Sequence, residues 1–149
     1  MRRHRRALRR SAIGALALLC AAGVHADDQD DIDYRQHIMK TMGEQTASME
    51  MILQHKAPTE GFGVHAKVLA IAAAMAKKSF GSKADGGNAK PAVWANLTDF
   101  DKRMDELAAA TDELAKAAAG GGVSAAGAKV PAVIATCNAC HAQYMVPKK

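Results

Sequence analysis

The pentapeptide CNACH at positions 137 to 141 puts two thiols and an imidazole within five residues. Three chemistries use such a set. A structural zinc ion takes four ligands, usually from two such pairs, and the chain's only other cysteine is the distant Cys20. A thioredoxin-type disulfide sits where a strand enters a helix, and no stretch of this sequence reads as a strand. Covalent haem attachment through C-x-x-C-H needs nothing further: each thiol adds to one vinyl group, and the following histidine reaches the iron from the same side. Cys137 and Cys140 are therefore the expected thioether positions and His141 the expected proximal axial ligand. The expected cofactor is one covalent haem c with its iron.

These residues must be placed by the rest of the chain. The first 26 residues have the pattern of a secretory signal: six Arg without an acid, a short apolar run, and small residues before a cut after Ala26. Cys20 leaves with that segment, so Cys137 and Cys140 are the only cysteines of residues 27–149. The whole chain carries a formal +5, but without the six arginines 14 basic residues face 15 acids, a net charge near −1. The apparent basicity belongs to the leader, and no nucleic-acid partner is implied. The remaining 123 residues suffice for one domain with a single core. No stable membrane span is expected in them, and export places the protein in the periplasm.

Four helices follow from apolar spacing. The first covers about 31 to 56, with Met39, Met42, Met49 and Leu53 on one face. The second covers about 64 to 80 and repeats Val64, Val68, Ile71 and Met75. The Gly-rich GSKADGGNAKP then ends in Pro91, suited to a first helical turn. A third helix to about 119 has Leu97, Phe100, Met104, Leu107, Thr111 and Leu114 at alternating spacings of three and four, and GGG at 120 to 122 stops it. The last carries Val130, Ile134, Cys137, His141 and Tyr144 on one face. Narrow stripes and mostly short turns predict an all-α, antiparallel four-helix bundle. Aromatic residues make up only 4% of the chain, so a large flat cofactor would supply missing apolar volume.

Nearly all of residues 27–149 resembles the cytochrome c′ family, the class II c-type cytochromes. The resemblance is carried by YRQHIMKTM on the first helix, GGNAKPAVW entering the third and CNACHAQY on the fourth. It implies the same bundle, with the haem inside it, and puts the residue opposite His141 at Met39. The family divides there. An apolar residue leaves the iron five-coordinate, high-spin and open to nitric oxide or carbon monoxide. A ligating methionine makes a low-spin electron carrier, and a thioether raises the potential.

The expectation taken forward is the His141/Met39 one-electron carrier with periplasmic redox partners, and the open, gas-binding site is its alternative. Met at helical spacing is commonly core filler, so Met42 is expected to line the pocket. His37 falls on the polar side of the first helix, about 200° from Met39, and His55 and His65 are expected at the surface. Arg35, one turn before Met39, is expected to hold a haem propionate. Tyr144 packs on the porphyrin edge or in the core.

Two departures from the family bear on the alternative. Met145 stands where members often have a basic residue, and KKSF stands where open-site members often have an aromatic. No nucleophile, acid/base pair or second metal cluster is visible, so no enzyme is expected. The resemblance leaves a homodimer through the first two helices open, although the core accounts for the stripes on those helices.

Overall fold

The computed structural model describes residues 27–147. The expected signal segment, 1–26, lies outside them. Helix α1 spans Asp28–Leu53. Asp27 caps it by accepting the Asp30 N–H at 2.9 Å, and Asp28, Asp30 and Asp31 put negative charge at the positive end of its dipole. The helix ends at Gln54, and His55 then takes a left-handed φ of 58°. A 3-10 turn, Thr59–Gly61, leads into α2, Phe62–Ala76, and a second 3-10 turn, Lys77–Phe80, closes it. After the Gly-rich loop come a single turn α3, Ala92–Ala95, and the long α4, Leu97–Gly127. Gly122 breaks α4 with φ 73° and ψ −179°, inside the glycine run expected to stop it. Helix α5, Val130–Tyr144, takes Pro131 into its first turn, where a missing N–H costs no hydrogen bond.

The four long helices form an antiparallel four-helix bundle, and the described residues include no β-strand beyond isolated bridges. Helix α1 packs on α2, α2 on α4, and α4 on α5, whereas α1 and α5 share no comparable seam. On α4 the predicted stripe is the buried one: Phe100, Met104, Leu107, Thr111 and Leu114 all face inward. The buried Thr111 hydroxyl is satisfied by donating to Leu107 O and Ala108 O, both at 3.0 Å. Leu97, placed on that stripe from the sequence, is instead exposed at the start of α4.

The face expected for α2 is wrong. Val64, Ile71 and Met75 are 63%, 53% and 46% exposed, while Phe62, Ala66, Leu69, Ala73 and Ala76 are buried. Both sets repeat at spacings of three and four, so periodicity did not distinguish them. Packing did: α2 lies between α1 and α4, and its alanines let both neighbours approach closely. The larger side chains are left outside, so the core does not account for the whole of α2's apolar surface.

No single helix among the described residues is long and apolar enough to cross a membrane.

Candidate haem-binding site

Cys137 and Cys140 are one turn apart on α5, half-buried, with free thiols. Burial pushes both thiols above the ordinary cysteine range, and at Cys140 the positive charge of Arg103 opposes the rise. Ile134, Cys137 and Cys140 pack along the edge of the core. His141 follows, half-buried in the last turn, and its carbonyl accepts the N–H of Met145 at 3.0 Å.

The end of α5 is clamped to α4. Tyr144 is 3% exposed and meets Phe100 edge-on, with ring centroids 5.3 Å apart. Its hydroxyl donates to Asp99 Oδ2 at 2.6 Å, and Arg103 Nε donates to the same oxygen at 2.7 Å. Arg103 Nη2 also donates to Gln143 Oε1 at 3.1 Å. Hydrogen bonds from Arg103 and then Tyr144 hold the Asp99 carboxyl below its ordinary range, while burial and the Asp99 contact push Tyr144 up. Tyr144 is thus packed in the core with a polar anchor. Asp99 and Arg103 carried no sequence signal that marked them as its partners.

Across the bundle, Arg35 is 3% exposed on α1. Its guanidinium sits over the rings of Trp94 and Phe80, 5.1 and 5.3 Å from their centroids, a favourable place for a desolvated cation. Nη2 donates to Ala84 O at 2.6 Å, but Nη1 is buried without a hydrogen-bond partner. A buried charged donor left unpaired is costly, so this atom marks a place for an anionic acceptor. Phe80 changes the meaning of KKSF. The segment does supply a buried aromatic, packed on Phe100 at 4.8 Å.

Met39 follows Arg35 by one turn, half-buried and packed against the core, and Met42 is 6% exposed within it. His37 and His55 are exposed, as expected. His65 departs from expectation: it is half-buried, with Nδ1 2.8 Å from Gln45 Oε1.

The residues fit a covalently attached haem. Two thiols and an imidazole share one end of α5, α1 and α5 flank a side where they do not pack on each other, and an orphaned guanidinium nitrogen sits on α1.

A family model described as Cytochrome C′ matches residues 30–145. Cytochrome c′ of Rubrivivax gelatinosus is 31% identical over 121 residues, covering 77% of this chain and 93% of that protein. Cytochrome c′ of Alcaligenes xylosoxydans xylosoxydans is 27% identical over 125 residues, covering 83% and 98%. A ferrous variant of cytochrome c prime from Alcaligenes xylosoxidans, solved with bound NO, superposes with a TM-score of 0.77 at 26% identity, covering 84% of this chain and all of that one.

Proposed function

The chain belongs to the cytochrome c′ family, whose members bind one covalent haem c, and on that premise we propose that it is an exported haem protein that takes up nitric oxide or carbon monoxide. Cys137 and Cys140 form the thioethers, His141 holds the iron from the proximal side, and Arg35 Nη1 donates to a propionate. When bound, haem c would supply a ferrous iron able to take up a diatomic ligand. Met39 contributes an apolar wall on that side, and Met42 backs it from the core.

The observation that carries this reading is the likeness, over the whole bundle, to a cytochrome c′ solved with nitric oxide bound. It favours the open site over the His/Met carrier that the sequence suggested first.

A second reading has its own support. Met39 carries a soft thioether at the position that the family resemblance puts opposite His141, and its ligation would give a low-spin carrier exchanging single electrons with periplasmic proteins. The visible spectrum of the purified ferric protein separates the two. The open site predicts a high-spin spectrum that Met39→Ala leaves unchanged. A low-spin wild type that turns high-spin in Met39→Ala would replace it with the carrier.

We also propose a homodimer. Val64, Ile71 and Met75 form an exposed stripe along α2, and Met51 on α1 is 49% exposed as well. Covering apolar area of this kind is the usual driving force of association. A monomer at micromolar concentration in sedimentation would contradict it.

A further inference from the structure

The loop from Ser82 to Lys90 ties the start of α1 to the end of α5. On the α1 side the Ser82 hydroxyl donates to Asp31 Oδ2, and Ala84 O accepts from Arg35 Nη2 at 2.6 Å. Gly87, at φ +61°, lies so close to α1 that a Cβ there would come within 2.8 Å of both Ile32 and Gln36. Gly86, at φ +133°, also approaches Ile32. Only glycine takes both conformations at low cost while leaving room for the helix.

On the α5 side, Lys90 N–H donates to Tyr144 O at 2.9 Å and Val146 N–H donates to Asn88 O at 2.9 Å. Lys90 Nζ lies 3.3 Å from both Ala142 O and Gln143 O. A cation there also complements the negative end of the α5 dipole.

The anchors run along α1 from Asp31 to Gln36 and around the end of α5, and those nearest the site lie within about one turn of Met39 and His141. Arg35 and Gln36 come just before Met39 on α1, and Ala142 to Tyr144 come just after His141 on α5. The two helices lack a packed seam of their own, so this strap is the direct protein route between them.

We propose that the strap from Ser82 to Lys90 sets the separation between Met39 and His141, and so decides whether the thioether reaches the iron. Gly87 and Lys90 are positioning residues in this scheme. Distances to a metal are held within about 0.2 Å, so a small displacement of α1 decides between ligation and packing. The inference rests on the haem site proposed above.

The test inserts two glycines between Gly86 and Gly87 in the full-length holoprotein. Lys90→Met serves as a gentler companion that removes only the ammonium contacts. The ferric visible and electron-paramagnetic spectra are read together with carbon monoxide binding to the ferrous form. With an open wild-type site, slack in the strap lets α1 settle until sulfur meets iron. The insertion variant then gains a low-spin component of roughly half the population, with about twofold weaker apparent affinity for carbon monoxide. Adding Met39→Ala abolishes that component. Lys90→Met moves the same way to a smaller extent, and carries the test if the insertion variant does not fold.

A low-spin wild type sinks the open-site reading but not the strap, which then predicts a gain of high-spin species in both variants. Spectra unchanged from wild type in every folded variant with haem covalently bound overturn the strap.

Discussion

At the end of the bundle where α1 turns into α2, Met49, Phe62, Ala66, Leu69 and Leu114 are almost wholly buried. Close packing there extends to backbone, since a Cβ on Gly127 would come within 2.5 Å of Leu53. At the opposite end Phe80, Phe100 and Tyr144 are also buried, but polar groups are worked in among them. Arg35 sits between aromatic rings, Tyr144 and Arg103 converge on Asp99, and a loop joins α1 to α5 by hydrogen bonds. The first end is complete with its own side chains. The second holds an orphaned guanidinium nitrogen and the two thiols, and is built to be finished by a bound group. Stability and function are therefore divided along the length of one bundle.

The division can be broken most severely by removing the haem anchors. Cys137→Ser with Cys140→Ser should abolish covalent haem staining and lower the Tm by on the order of 10 °C, since a group bound only by the native state stabilises it. Met49→Ala at the dry end should cost about 2–5 kcal/mol in denaturant unfolding, with the haem spectrum unchanged. A spectral shift there would show that the two ends are coupled.

Arg35→Met at the polar end should cost about 1–3 kcal/mol, the scale of a buried charged hydrogen bond lost. Unlike Met49→Ala, it should alter the reduction potential. Tyr144→Phe removes one hydrogen bond while keeping the ring on Phe100, and should cost about 1 kcal/mol.

The smallest effect is a pH dependence. The Asp99 carboxyl is depressed by Arg103 and Tyr144, so its contribution is present above the unfolded pKa of about 4 and is lost as pH falls through its folded value. Asp99→Asn should therefore flatten part of the acid limb of a Tm-against-pH curve, and an unchanged limb would remove Asp99 from the account.

The sequence made some of this legible and hid the rest for physical reasons. On α4 one apolar stripe faces a charged background, so Phe100 to Leu114 could be read directly. On α2 two opposed stripes are both apolar, and close approach selected the alanine one that hydropathy ranks lower. CNACH was legible because covalent chemistry demands fixed residue types at fixed spacing.

Arg35 was readable as a charge on Met39's face with an expected anionic partner, but its seat between Phe80 and Trp94 joins residues 45 to 59 positions away in the chain. The strap was illegible because backbone amides and carbonyls make most of its hydrogen bonds, and these leave no mark on residue type. The Gly-rich stretch ending in Pro91 showed only a connection between helices. Whether Met39 meets the iron was unreadable for a related reason: the residue type permits it, and the spacing of two helices decides it.

That question has a direct measurement, the titration of the reduced wild-type protein with carbon monoxide, followed in the visible spectrum beside Met39→Ala. The open-site account predicts that both proteins bind carbon monoxide stoichiometrically and with similar affinity. A wild type that stays low-spin and unliganded while Met39→Ala binds would show that Met39 occupies the position, and would contradict it.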